Sequence, residues 1–154
     1  MPRQLNALTA LLVLVCSSVL LAHVTVQPRE SKAGAVERYA IRVPTEGAVT
    51  TTSVDLEVPE GVVVVDIEAA ENATFETRRQ GERIVAITWK KEIKPRDVAQ
   101  FFFRARNPQA SQNLIWKAHQ HFADGSVADW VGPAGDRRPA SVTTLKLASR
   151  EEPK

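Results

Sequence analysis

The sequence predicts an all-β sandwich, on three observations. Apolar residues alternate with period two in short runs along the chain. Gly, Pro, Asn and Asp punctuate those runs at turn spacing. No stretch of useful length carries the 3.6-residue stripe of an amphipathic helix. Many short strands separated by Gly/Pro turns favour a sandwich or barrel over layered helices.

The elements follow in order. Residues 23–28 form a short strand stopped by Pro28, with Gly34 in the turn beyond. Residues 37–44 place Tyr39, Ile41 and Val43 on one face and end at Pro44. Residues 51–59 alternate Val54, Leu56 and Val58 before a turn at Pro59, Glu60 and Gly61. Residues 62–68 are strongly β-branched. Residues 73–79 and 82–89 read as a hairpin through Gln80 and Gly81. Residues 98–106 are aromatic and close at Asn107 and Pro108. Residues 114–122 precede the turn signal Ala123, Asp124 and Gly125. Residues 126–132 and 140–148 complete nine or ten strands, and residues 132–139 read as a flexible loop. Trp89 and Trp116, set among Ile, Val and Leu, belong to the core.

Residues 1–22 read as an export signal. Arg3 and the α-amine precede a nearly apolar run over 8–21, shorter than the ~20 residues of a membrane span. Ala22 is a suitable small residue before a cut. A competing cut after Ser18 fits the small-residue rule better and would leave 19–22 attached; an uncleaved anchor is the other alternative. Val15 makes Cys16 a poor lipid acceptor. The expected organisation is a signal over 1–22, a β-sandwich over 23–148 and a charged tail over 149–154. No later run is long enough to span a membrane, so the mature chain is expected to be soluble, in a periplasmic or extracellular space.

Composition narrows the chemistry. The net charge of +2 and scattered basic residues give no nucleic-acid stripe. The one Cys (Cys16) and one Met (Met1) lie in the signal. The remaining chain is therefore free of sulfur, which excludes disulfides, thiolate sites and Cys- or Met-ligated copper. No nucleophile elbow or phosphate-binding glycine loop is present.

Three features carry candidate chemistry. If the cut precedes His23, its free amine and Nδ1 can chelate one ion, a donor pair that favours Cu(II); otherwise His23 is an ordinary surface histidine. His119 and His121 project from the same face of a strand, where they can approach one ion or simply stand half-exposed. Trp130, in a polar stretch, either covers an ion or packs.

HVTVQPRES, ERYAIRVPTE and TTSVDLEVPEGV resemble the opening of the YcnI-like bacterial domain family, and AHQHFADGSVADWVG with RPASVT resembles its close. The resemblance spans most of 23–145. It implies an Ig-like or cupredoxin-like antiparallel β-sandwich with one exposed Cu(II) site, a one-histidine brace. By position, His23 supplies amine and imidazole, Trp130 stands beside the metal, and Glu30 supplies the carboxylate, with Glu37 in reserve. It also implies a link to other exported copper chaperones and to copper-transporting membrane proteins. Some relatives carry a C-terminal membrane anchor, and none is expected for this chain. The expectation is a copper chaperone, buffer or uptake factor that is not an enzyme. Its rivals are a copper oxidase or monooxygenase with a second imidazole from His119 or His121, and a metal-free structural or adhesive sandwich.

Overall fold

The computed structural model describes residues 22–149. The segment up to residue 21, with Met1 and Cys16, where the sequence leads one to expect an export signal, and the tail beyond Ser149 lie outside the described residues.

The described residues form twelve strands: β1 (Thr25–Gln27), β2 (Glu30–Lys32), β3 (Val36–Pro44), β4 (Thr51–Glu57), β5 (Val63–Ile67), β6 (Thr74–Gln80), β7 (Arg83–Ile93), β8 (Val98–Arg106), β9 (Asn113–Trp116), β10 (Ala118–Phe122), β11 (Val127–Trp130) and β12 (Ser141–Lys146). They build a four-stranded sheet β1-β3-β8-β5, a five-stranded sheet β11-β10-β4-β7-β6 and a three-stranded sheet β2-β12-β9. Every pairing between strands is antiparallel except β2 with β12, which is parallel. The predicted all-β sandwich is the observed fold.

The alternation read from the sequence sets the core. Tyr39, Ile41, Val54, Leu56, Ile87, Trp89, Phe101, Phe103, Leu114, Trp116 and Leu145 are all buried. Tyr39, Phe103 and Trp116 meet with ring centroids 4.9–5.6 Å apart, and Trp89 stacks on Phe101 at 5.3 Å. Aromatic pairs at these separations add to their area burial.

Two predicted elements differ. The run over 114–122 is two strands in two sheets. It divides at Lys117, whose carbonyl accepts from Glu57 N at 2.9 Å instead of from a ladder partner. Residues 30–32, read as part of a turn region, form β2, which pairs Thr144↔Glu30 through Lys146↔Lys32. The triplet Glu-Ser-Lys has no apolar alternation, so only its backbone reveals it as a strand. The predicted Asp124–Gly125 turn holds: Gly125 has φ +85°, which glycine adopts without a Cβ penalty. Asp124 Oδ1 accepts from Ser126 Oγ (2.6 Å) and N (2.9 Å), and these bonds lower its pKa.

A buried polar knot closes the end of the sandwich near β2. The Tyr39 hydroxyl donates to Asn107 Oδ1 (2.6 Å), whose amide donates to Lys32 O (2.9 Å) and Ser31 Oγ (3.0 Å). Burial, reinforced by the Glu37 carboxylate, pushes the Tyr39 phenol up to about 12. A raised folded-state pKa contributes stability that is full below the unfolded value near 10 and is lost as pH climbs toward 12. Chemical denaturation should therefore show stability falling between pH 10 and about 12, with a shallower fall in Tyr39→Phe. That variant should also lose about 1–2 kcal/mol at neutral pH, because Asn107 Oδ1 is left without its donor.

Candidate functional site

His23 precedes β1, which pairs with β3 in the register Thr25↔Arg42. Following that register back two residues brings His23 level with Pro44, the last residue of β3. The chain then turns through Thr45 to Glu46. On the facing sheet, Trp130 ends β11. Strand alternation turns its side chain inward, between the buried Ala128 and the Gly132 turn.

These elements meet in one cleft of about 510 Å³, lined by Ala22, His23, Pro44, Glu46, Gln120 and Trp130 among others. The His23 and Trp130 rings are 5.4 Å apart between centroids and inclined at 55°. His23 is half-buried and Trp130 only 8% exposed. The indole is the wall of the cleft as well as the edge of the core.

Gln120 fixes that wall. Its Oε1 accepts from Trp130 Nε1 at 3.2 Å. Its Nε2 donates to Pro44 O at 2.9 Å and Thr51 Oγ1 at 2.8 Å. Thr51 continues to Thr45 (2.7 Å), which donates to Ile93 O at 2.9 Å. All of these side chains are buried, so the bonds remove a desolvation cost that each group would otherwise carry.

The structure brings together His23 and Trp130 of the predicted site residues. It does not bring Glu30 or Glu37 to them. Glu30 sits on β2 with its carboxylate 2.8 Å from Lys146 Nζ. Glu37 accepts from Ser31 Oγ at 2.7 Å, within the Tyr39–Asn107 knot. The carboxylate that lines the cleft is Glu46. It was missed because the choice depends on register. An antiparallel pairing of 23–28 with 37–44, drawn from the sequence, would have pointed to it.

His119 and His121 occupy the outer face of the five-stranded sheet. His119 Nδ1 lies 2.6 Å from Asp129 and its Nε2 3.9 Å from Glu57; His121 Nε2 lies 2.9 Å from Asp55. Gln120, between them, points the opposite way into the cleft. The chain has three histidines, and of these only His23 lines the cleft. Among the described residues no three His, Cys, Asp or Glu are already gathered to hold an ion. The protein supplies few donors here, and the rest of the cleft is open to an incoming ligand.

Fold and cleft together define an immunoglobulin-like sandwich with a single-histidine cleft at the start of its domain. The chain belongs to the family described as Domain of unknown function (DUF1775), whose model matches residues 23–145 and so begins on His23. It is 33% identical to the copper-binding protein CutI of Bacillus subtilis (strain 168) over 132 residues, which is 84% of this chain and 65% of that relative. The match thus spans slightly under two thirds of the relative's length. These two matches bear out the YcnI-like resemblance read from the sequence. Among solved structures, a Nocardia farcinica protein with an immunoglobulin-like fold superposes with TM-score 0.71 at 25% identity, covering 80% of this chain and 98% of that one. A cohesin module from a Clostridium perfringens family 33 glycoside hydrolase superposes at 0.56 with 14% identity, covering 81% and 95%, and shares the fold alone.

Replacing Gln120 by Ala should orphan the Trp130 N–H, and it should also remove one donor each from Pro44 O and from Thr51 Oγ1, which keeps its bond to Thr45. Denaturant unfolding should show a loss of about 2 kcal/mol or more. The tryptophan emission should shift to the red as water reaches Trp130.

Proposed function

We propose that this protein is an exported Cu(II)-binding module that buffers copper or passes it on. The observation that carries this reading is the cleft itself, where the histidine that opens the family domain packs beside Trp130, with one carboxylate and no sulfur. The relative named as copper-binding supports the choice of metal.

The donor set fits the oxidised ion. Imidazole nitrogen and carboxylate oxygen suit Cu(II), whereas Cu(I) prefers thiolate and thioether, which residues 22–149 lack. In this reading, removal of the segment through Ala22 converts the His23 amide into a free amine. Ala22 also lines the cleft, so the same cut widens it. Amine and Nδ1 then chelate the ion, Glu46 takes the carboxylate role first given to Glu30, and Trp130 shields one side. Affinity rises with pH, because the amine must be deprotonated to bind.

Few protein donors leave positions that a receiving protein can enter, which suits cargo better than a resident cofactor. Reduction to Cu(I) favours release. The partners in this reading are other exported copper chaperones or a copper-transporting membrane protein. No helix among the described residues is long and apolar enough to cross a membrane. A single imidazole in the cleft supports a binding role over an oxidase that needs two.

Cu(II) titration against a competing chelator, with protein starting at His23, tests this. His23→Ala should weaken binding by about 100-fold or more, and Glu46→Gln and Trp130→Phe by about 10-fold each. Equal affinity in His23→Ala and the parent would reject the reading, and Glu30→Gln should leave affinity unchanged.

A further inference from the structure

The cleft carries more charge than copper alone explains. Besides Glu46, it is lined by Arg137 and Arg138. Both are exposed, and neither guanidinium has a carboxylate partner among the described residues.

The loop that presents them, read from the sequence as flexible over 132–139, closes on itself through its own hydrogen bonds. Gly132 N donates to Arg138 O (3.0 Å), Ala140 N to Gly132 O (2.8 Å) and Asp136 N to Pro133 O (3.1 Å). Asp136 also accepts from Arg137 N at 2.6 Å, and its carboxylate fills the space a Cβ on Gly132 would need. The loop starts two residues after Trp130, so its arginines are tied to the wall of the cleft.

Two guanidiniums against one carboxylate make the cleft net positive before any metal enters. A bare dication is repelled there, and with it bound the local positive charge rises further. The cleft volume of about 510 Å³ also falls in the range of small-molecule sites and far exceeds the needs of one ion. Guanidinium forks match carboxylates in charge and shape.

We infer that the cleft takes copper together with a small carboxylate-bearing co-ligand, held by Arg137 and Arg138 and reaching the open side of the metal. This rests on the copper reading above. The co-ligand neutralises the excess charge and adds oxygen donors to the one carboxylate, Glu46, that the cleft provides. It identifies the cargo class as a copper–carboxylate complex instead of the bare ion, and its departure opens the site for transfer.

Malonate is a suitable probe, with the chain starting at His23 and an Arg137→Gln/Arg138→Gln variant. Both arginines are exposed, so the variant should melt at the parent's temperature, which checks its fold. On copper-loaded protein, malonate should shift the EPR spectrum with half-saturation about tenfold lower or better in the parent than in the variant. Ultrafiltration should show the copper still bound to protein. On metal-free protein, malonate should move the Arg137 and Arg138 side-chain NMR signals. Without malonate, the variant should bind copper at least as tightly as the parent, because two repelling charges are gone. Equal malonate half-saturation in parent and variant, with copper still dependent on His23, would overturn this inference and leave the copper reading standing. Copper that binds His23→Ala as tightly as the parent would overturn both. A shift produced by a tri-aspartate peptide but not by malonate would assign the arginines to an acidic protein partner and overturn the small co-ligand.

Discussion

The buried amide of Gln120 is the interaction on which the cleft end of this domain depends. One side chain uses both of its donor hydrogens and its acceptor, on Pro44 O, Thr51 Oγ1 and Trp130 Nε1. Those partners come from β3, β4 and β11, so the bonds tie the two main sheets together across the open end of the sandwich. A polar group this deeply buried is costly unless every bond is made, and each one made specifies a geometry. The outcome is a tryptophan fixed at the mouth of the cleft, 5.4 Å from His23. The core beneath is ordinary aromatic packing; the amide determines how that core ends.

Alternation along β10 distributes the chemistry between two faces. Gln120 points in, so His119 and His121 must point out, where each meets a carboxylate of a neighbouring strand. A one-residue slip of this strand would place two imidazoles in the cleft and bury no amide. Both neighbours oppose that slip. Ala118↔Leu56 and Gln120↔Val54 keep buried partners together on β4, and Ala118↔Trp130 does so on β11. The single-histidine character of the site thus follows from the same register that fills the core.

Thermodynamic roles divide cleanly across the domain. The Tyr39–Asn107 knot and the Gln120 network are fully bonded and buried, and they confer rigidity. The cleft keeps its charged groups, Glu46, Arg137 and Arg138, at the exposed rim. Rigid walls with a charged, exposed rim confine any exchange of groups at the cleft to the rim, with no rearrangement of the core.

Much of the fold was legible in the residues. Period-two alternation identified the buried sides of β3, β4 and β8, and Trp89 and Trp116 were correctly placed in the core. His23 and Trp130 were legible as candidates through motif order and resemblance. The strand break at Lys117 and the pairing of β2 were not, since both are matters of backbone hydrogen bonding that side-chain pattern does not encode. Local sequence determined which residues are buried, because the pleat alternates regardless of what the strand faces. Only the tertiary structure decided which groups meet. It placed Glu46 in the cleft and tied Glu30 to Lys146, and it turned His119 and His121 away from the cleft that holds His23. It also brought Arg137 and Arg138 to the rim. These contacts join residues distant in the chain, and strand register and sheet stacking create them.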